Sequence, residues 1–171
     1  YVNGSFSNRF YKIAQELGRT PIAQTAEEGE CVAIDSAQIP TDTELIAFTQ
    51  NETSTGAAQP LEDIYRVRKS HPNAIIAVDA VSTLPYIDLD YSQIDTAYFS
   101  VQKGFGLPAG LGVWLVNDRC VARAEQLVQQ QSIGSYHSLP SLLEKARKQQ
   151  TPETPNVLGI YLLAKVAGDM L

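Results

Sequence analysis

The sequence is poor in several residue types, and each shortage narrows what the chain can do. Only two of its 171 residues are cysteine, Cys31 and Cys120, and they lie far apart. Two distant cysteines favour reduced thiols over a disulfide framework or a cysteine metal site. Basic residues are also few, 13 against 19 acidic ones, and the net charge is −6. Because the basic residues are scattered, the composition argues against nucleic acid or an anionic membrane as a partner.

Long apolar runs are missing as well. No run approaches the roughly 20 apolar residues that a membrane-spanning helix requires, and no signal-peptide pattern is present. We therefore expect a cytoplasmic protein without a membrane partner. Methionine occurs once, at Met170, and the first residue is Tyr1. We expect the chain to be a piece of a longer protein.

Apolar residues follow two different spacings along the chain, and the two kinds of segment alternate. Helical spacing predicts helices over 7–17, 59–72, 119–131, 139–150 and 156–171. Apolar runs bounded by turn residues predict strands over 21–26, 31–34, 44–51, 74–81, 95–102 and 111–117. Strands that alternate with helices predict an α/β fold around a mostly parallel sheet.

Three of the predicted strands end in polar residues that could carry chemistry. They are followed by NETSTG (51–56), by Asp79 in VDAVST, and by the pair Gln102 and Lys103. Ligands of open α/β sheets bind beyond the carboxyl ends of the strands, so we expect these three ends to meet in one crevice. A buried lysine can form a Schiff base, and a buried carboxylate can pair with a pyridinium nitrogen. Hydroxyls and an amide can hold a phenolate oxygen and a phosphate.

Structural explanations exist for the same residues. Lys103 could lie at a sheet edge with its ammonium in water, Asp79 could cap a helix or turn, and 51–56 could be a capping loop. We predict turn positions for the aspartates of 88–95, which lack the glycine and the final glutamate of a calcium loop. We predict a solvated histidine at His71, near a helix end. The glycines of 104–112 precede a strand, whereas a dinucleotide fingerprint must open a helix.

Four segments together resemble a known family. NGSFSNR (3–9), NETSTG, VDAVST (78–83) and SVQKGFGLPAGLG (100–112) are similar to four motifs of the class V aminotransferases, in the same order. These motifs are N-G-x-aromatic-x-x-R, N-E-T-x-x-G, D-x-x-S-[ST] and Q-K-x-x-G-x-x-G, with the last glycine of the fourth one residue later in this chain, at Gly110. The family's members are fold-type I enzymes that use pyridoxal 5′-phosphate. The resemblance implies a three-layer α/β sandwich with a mainly parallel mixed sheet. Residues 1–171 would be the central part of its cofactor-binding large domain, without the N-terminal phosphate-loop segment and the C-terminal small domain.

The resemblance also implies a role for each residue of the predicted crevice. Lys103 would hold the cofactor covalently and then move a proton between the substrate Cα and the cofactor. Asp79 would keep the pyridine nitrogen protonated. Phe6 would stack on the ring. Thr53, or Asn51 in its place, would donate a hydrogen bond to the ring's phenolate oxygen.

Further contacts are implied around these residues. Gln102 would contact the cofactor phosphate. Ser82 would help to position Asp79 without touching the cofactor itself, and Thr83 could do the same.

A segment near the end of the chain implies a second subunit. QTPETP (150–155) resembles the family's N-T-P-P-T segment, which reaches the phosphate of the partner subunit. Thr151 would thus serve the other active site of a homodimer. Gln150, where the family has asparagine, would accompany it.

The spacing of 24 residues between Asp79 and Lys103 is most like that of the phosphoserine branch of the family. The implied reaction moves the amino group of O-phospho-L-serine to 2-oxoglutarate, or the reverse, in serine biosynthesis. The alternatives are an alanine–glyoxylate or serine–pyruvate type aminotransferase and a non-catalytic relative with the same fold. Cysteine desulfurases usually have histidine before the lysine, whereas this chain has Gln102.

Overall fold

A computed structural model describes residues 1–131 and 134–170, which contain both helices and strands. The helices are α1 (Ser5–Glu16), α2 (Leu61–Ser70), α3 (Asp118–Gln130), α4 (Leu139–Arg147) and α5 (Val157–Asp169). The strands are β1 (Leu45–Thr49), β2 (Asn51–Glu52), β3 (Ala57–Ala58), β4 (Ile75–Asp79), β5 (Thr96–Ser100) and β6 (Gly112–Val116). All five predicted helices are confirmed, although Leu171, the last residue of the predicted C-terminal helix, lies outside the described residues. Within the described ranges, every helix is too short or too polar to cross a bilayer.

Four strands form the main sheet, in the order β1-β4-β5-β6. β1, β4 and β5 are parallel, whereas β6 runs antiparallel to β5. The predicted α/β class and the mainly parallel mixed sheet are confirmed. The register places Thr49 beside Asp79, Asp79 beside Tyr98, and Tyr98 beside Trp114. Because residues in register share a face, these four side chains form one row across the sheet.

One face of the sheet carries the hydrophobic core, where α2 packs against the strands. Ile64 and Val67 of α2 are fully buried, and each such side chain stabilises the fold by about 1.5–3 kcal/mol. Acidic residues in the first turn of α2 and basic residues in its last turn match the helix dipole. The strand residues of this cluster are Ile46, Phe48, Ile76, Val78, Ala97 and Phe99.

The two predicted strands over 21–26 and 31–34 are wrong. This region forms only an isolated bridge between Val2 and Thr25. The side-chain amide of Gln59 takes the place of a neighbouring strand at Val32. It accepts a hydrogen bond from the Val32 N–H at 3.1 Å and donates one to the Val32 carbonyl at 3.2 Å. The apolar run over 31–34 therefore reflects packing against a side chain and not pairing in a sheet.

Asp95 lies at a bend directly before β5, in line with the predicted turn position, but its side chain is buried and only 3% exposed. Its carboxylate accepts hydrogen bonds from the Ile76 N–H at 2.7 Å and from Asn117 Nδ2 at 2.9 Å. It also pairs with Arg68, and with Arg119 at 3.2 Å. Polar groups of three separate segments, α2, β4 and the start of α3, therefore meet at one buried carboxylate.

His71 was predicted to be solvated, and this prediction is also wrong. The side chain is buried. Its Nδ1 lies 3.0 Å from Ser70 Oγ and its Nε2 lies 3.1 Å from the Ile39 carbonyl oxygen. The loop around Ile39 folds back over the end of α2 and covers the ring, a long-range contact that the local pattern does not show.

Candidate active site

The carboxyl ends of β1, β4 and β5 lie at one edge of the sheet because the three strands are parallel. The loop after β1, which contains the short strands β2 and β3, carries Asn51 and Thr53. β4 ends at Asp79, and the turn after β5 carries Lys103. The structure thus brings the three predicted strand ends to the same edge, where open α/β sheets bind ligands.

Asp79 is half-buried, and both of its carboxylate oxygens accept hydrogen bonds. Oδ1 accepts from the Val81 N–H at 2.9 Å, and Oδ2 accepts from the Tyr98 hydroxyl at 2.9 Å. Burial raises the pKa of Asp79, the two hydrogen bonds act in the opposite direction, and the negative charge of Glu52 adds to the rise. Burial also raises the pKa of Tyr98, as does the charge of Asp79. Tyr98 therefore stays protonated and remains a donor.

Asn51 and Ser82 hold the loop after β1 against the loop after β4. Asn51 Nδ2 donates to Ser82 Oγ at 2.8 Å, and Ser82 Oγ donates to the Asn51 carbonyl at 3.1 Å. The two predicted residues are therefore in direct contact with each other. The Asn51 amide is used in this pair, which leaves the exposed hydroxyl of Thr53 as the freer donor.

Lys103 lies in a tight turn at the end of β5. The Gly106 N–H donates to the Lys103 carbonyl at 3.0 Å, and Phe105 stacks on Phe99 with ring centroids 4.8 Å apart. The lysine side chain is exposed, not buried as the Schiff-base argument supposed. The side chain is therefore accessible to a ligand from solution.

Gly104 fixes this turn against the loop that follows Asp79. A Cβ atom at Gly104 would lie 2.3 Å from the Leu84 carbonyl oxygen and 2.9 Å from Pro85 Cδ. Only glycine permits so close an approach between the two backbones. The turn that carries Lys103 is thereby held beside the β4 loop.

The remaining predicted residues differ in their surroundings. Phe6 lies in the first turn of α1 and is 51% exposed. Gln102 is exposed just beyond the carboxyl end of β5. Thr151 Oγ1 donates to the Glu153 carbonyl at 2.6 Å within the linker between α4 and α5. Gln150 is exposed in the same linker. The described contacts tie neither linker residue to the Asp79 loop.

Two residues of the site were missed by the sequence reasoning. Tyr98 contacts Asp79 directly, and Glu52 is fully buried beside α1. The signal for Glu52 was available, because a charged residue directly follows a continuous apolar strand. The signal for Tyr98 was its place within β5, but its partner depends on the register between β4 and β5.

The mixed, mainly parallel sheet with polar groups at its carboxyl edge agrees with the class that the motif resemblance implied, which is the fold-type I transferases. The sequence also matches a family description directly. The pattern described as Aminotransferase class-V matches residues 12–169. The chain belongs to the class V aminotransferase family, as the motif resemblance predicted.

Individual relatives agree with this assignment. A curated phosphoserine aminotransferase of Rhodococcus opacus is 32% identical over 167 residues, which cover 95% of this chain and 43% of that protein. The crystal structure of a phosphoserine aminotransferase from Cytophaga hutchinsonii is 53% identical, with a TM-score of 0.91 over 99% of this chain and 47% of the other. An aspartate aminotransferase from Thermus thermophilus is 26% identical, with a TM-score of 0.80 over 98% of this chain and 47% of the other. The chain thus spans less than half the length of these relatives.

Proposed function

We propose that this chain is the central part of the large domain of a cytoplasmic, pyridoxal-phosphate-dependent aminotransferase. The proposed substrates are O-phospho-L-serine and 2-oxoglutarate, and the proposed role is in serine biosynthesis. One observation carries the choice of substrate. The identity is 53% to the Cytophaga phosphoserine aminotransferase but 26% to the Thermus aspartate aminotransferase, over nearly the same share of this chain.

The groups at the sheet edge fit pyridoxal phosphate chemically. The cofactor has an aldehyde, a pyridine nitrogen, a phenolate oxygen and a flat ring. The edge offers an accessible primary amine at Lys103, a carboxylate at Asp79 and a hydroxyl at Thr53, and the first turn of α1 carries an exposed aromatic ring at Phe6. Each reactive group of the cofactor thus has a complementary side chain.

The cofactor, when bound, supplies an electron-accepting ring that lets an amino group pass from one carbon skeleton to another. The side chain of Lys103 would hold it and would then accept and return the proton of the substrate Cα. Asp79 would receive the N–H of the pyridinium on a carboxylate that Val81 and Tyr98 already orient. Thr53 would donate to the phenolate oxygen, and Gln102 would bind the phosphate.

The proposed enzyme is a homodimer in which Thr151 and Gln150 reach the phosphate of the partner's site. Their exposure and the absence of contacts to Asp79 in the described parts of the chain are compatible with a role outside their own subunit. The apolar face of α1 supports further protein contact. Ile13 of α1 is 43% exposed, and Leu17, directly after the helix, is 64% exposed.

The test is the visible absorption spectrum, with added pyridoxal phosphate, of the full-length protein of which residues 1–171 are the proposed central part. We expect a band from the lysine-bound cofactor that disappears when L-phosphoserine is added and returns with 2-oxoglutarate. Lys103→Ala should not form the band. A band that responds to L-alanine or L-serine but not to L-phosphoserine would favour the alanine–glyoxylate or serine–pyruvate alternative. No band at any cofactor concentration would favour the non-catalytic relative.

A further inference from the structure

Glu52 is a fully buried carboxylate that the proposed reaction does not use. It is 0% exposed. The ion pairs in the described ranges involve other carboxylates, so neutral donors alone hold Glu52. Oε2 accepts from the N–H and the hydroxyl of Ser7, both at 2.9 Å. Oε1 accepts from the N–H and the hydroxyl of Ser54, at 3.2 and 2.7 Å. A charged group removed from water is thus satisfied by four hydrogen bonds.

Two further contacts close the same unit. Ser54 Oγ accepts a hydrogen bond from the Ser5 N–H at 2.9 Å. A Cβ atom at Gly4 would lie 2.3 Å from Glu52 Cγ and 2.6 Å from Ser54 Oγ. We call the residues Gly4, Ser5, Ser7, Glu52 and Ser54 the Glu52 clamp. It fastens the first turn of α1 to the loop after β1, although the two segments are 45 residues apart at Ser7 and Glu52.

Two residues of the candidate site lie between clamp residues in the sequence. Phe6 lies between Ser5 and Ser7, and Thr53 lies between Glu52 and Ser54. The clamp residues Ser7 and Glu52 are buried, whereas Phe6 and Thr53 are exposed. Phe6 and Thr53 therefore each have a clamp residue directly before and directly after them in the sequence, which restrains their backbone.

We propose that Glu52 is a positioning residue that fixes Phe6 and Thr53 relative to each other, so that both meet the same pyridoxal phosphate ring. The proposal rests on the proposed function, because it takes the cofactor as the ligand of these two residues. Glu52 itself touches neither the cofactor nor the substrate in this scheme.

The chemistry of the clamp explains why a carboxylate is needed. Two of its four donors are backbone N–H groups, which can donate a hydrogen bond but cannot accept one. A glutamine would turn an NH₂ group toward the donors of one serine and would leave them unsatisfied. The N-terminus of α1 also favours a negative charge. Burial alone would raise the pKa of Glu52, but the hydrogen bonds from Ser54 and Ser7 outweigh it and hold the pKa below its ordinary value. The group is therefore ionised at neutral pH.

The experiment compares Glu52→Gln with the wild type in the full-length protein. The matched control is Glu125→Gln, the same chemical change at an exposed position of α3. Hydrogen exchange of the Ser7 amide without cofactor reports the clamp directly. We expect it to accelerate by about tenfold or more in Glu52→Gln, as the loss of a charged hydrogen bond would produce. The dissociation constant for pyridoxal phosphate should rise by about tenfold, the equivalent of one hydrogen bond to a charged group, because Thr53 would no longer be held against the phenolate oxygen. The visible circular dichroism per bound cofactor should also change, since it reports how the ring is held.

A milder variant keeps the test decisive if Glu52→Gln does not fold. Ser54→Ala leaves the carboxylate in place but removes the hydroxyl that joins it to the Ser5 N–H. It should change the same three quantities in the same direction by a smaller factor, while Glu125→Gln leaves them at wild-type values.

The outcomes separate the two proposals. Faster exchange with an unchanged cofactor affinity and dichroism would overturn the positioning role, because Glu52 would then only stabilise the fold. Unchanged exchange would overturn it as well. A wild-type protein that binds no pyridoxal phosphate would instead overturn the proposed function, together with the role for Phe6 and Thr53 that depends on it.

Discussion

At the residue scale, the contact between Tyr98 and Asp79 determines how the carboxylate can act. The hydroxyl of Tyr98 donates to Oδ2 and the Val81 N–H donates to Oδ1. Both bonds stabilise the ionised carboxylate against the effect of burial. The ionised form is the one that can accept a hydrogen bond from a pyridinium N–H.

Tyr98→Phe should therefore raise the pKa of Asp79, because burial and the charge of Glu52 would be opposed by the Val81 bond alone. Protonation of Asp79 weakens its hold on a pyridinium. The loss of pyridoxal phosphate affinity on acidification should thus begin at a higher pH in the variant than in the wild type. Titrations of the full-length protein with pyridoxal phosphate over a pH series would measure this loss of affinity.

Tyr86→Phe is the matched control, since Tyr86 is 80% exposed and removing its hydroxyl should leave the pH profile unchanged. Superimposable profiles for Tyr98→Phe and the wild type would contradict the role given to the phenol.

The residues of the site differ in how far the sequence could predict them. Lys103 and Asp79 follow apolar strands directly, so their place at the sheet edge follows from the strands alone. The Tyr98 contact depends on the register of β5 against β4, which no local pattern specifies. The burial of Glu52 depends on the docking of α1, which is distant in sequence.

At the element scale, some strands follow from the local sequence, whereas others depend on a partner that is distant in the sequence. The predicted strands around β1, β4, β5 and β6 are confirmed, because apolar runs bounded by turn residues are typical of a buried sheet. The segment 31–34 has a similar pattern but has no strand beside it. A strand needs a partner as well as a suitable sequence, and the partner here is the side chain of Gln59.

The close packing of the β4 and β5 loops leads to a prediction at this scale. Gly104→Ala would place a Cβ atom 2.3 Å from the Leu84 carbonyl oxygen, so one of the two loops must move. We expect a loss of about 1–3 kcal/mol in the free energy of unfolding, as for other overpacked sites. The displaced turn should also weaken the attachment of pyridoxal phosphate to Lys103. Denaturant unfolding and the visible cofactor band of the full chain would measure the two effects.

Gly168→Ala is the comparison variant for this change. Gly168 lies in α5 with open space around the position of a Cβ atom. Alanine should be neutral or stabilising there by up to about 1 kcal/mol. A Gly104→Ala variant with the same stability and cofactor band as the wild type would show that the loops do not need their close contact.

At the scale of the whole molecule, Asp95 joins the layers of the fold. Its carboxylate contacts Arg68 of α2, the backbone at Ile76 of β4, Asn117 before α3 and Arg119 within it. Burial alone would raise the pKa of Asp95. The hydrogen bonds from Ile76, Asn117 and Arg68, together with the charge of Arg68, outweigh it and hold the pKa below the ordinary value. A carboxylate with a lowered pKa contributes stability above its unfolded-state pKa, and this stability is lost as the pH falls through the folded-state pKa.

Asp95→Asn should therefore destabilise the protein at neutral pH. Arg68 would be left with little exposure and without its counter-charge, and breaking such a buried pair costs about 3–5 kcal/mol. Because the variant has no carboxylate to protonate, its free energy of unfolding should fall less steeply than that of the wild type on acidification. Urea unfolding of the full chain at neutral and acidic pH would show both effects.

Asp42→Asn provides the control, because Asp42 is an exposed aspartate in a turn. It should keep the wild-type stability and pH dependence. If Asp95→Asn lost as much stability on acidification as the wild type, the pH response would have to come from other carboxylates.

The row of side chains across the sheet gives the chain a built-in optical probe. Trp114 is its single tryptophan, and it lies in register with Tyr98, which lies in register with Asp79. Two strand spacings separate the indole's backbone from that of Asp79, or about 10 Å. The indole Nε1 is anchored to Thr96 Oγ1 at 2.7 Å, so its orientation is restrained. A coloured ligand beside Asp79 would quench the emission of Trp114 by energy transfer, and occupancy of this edge could be followed without any label.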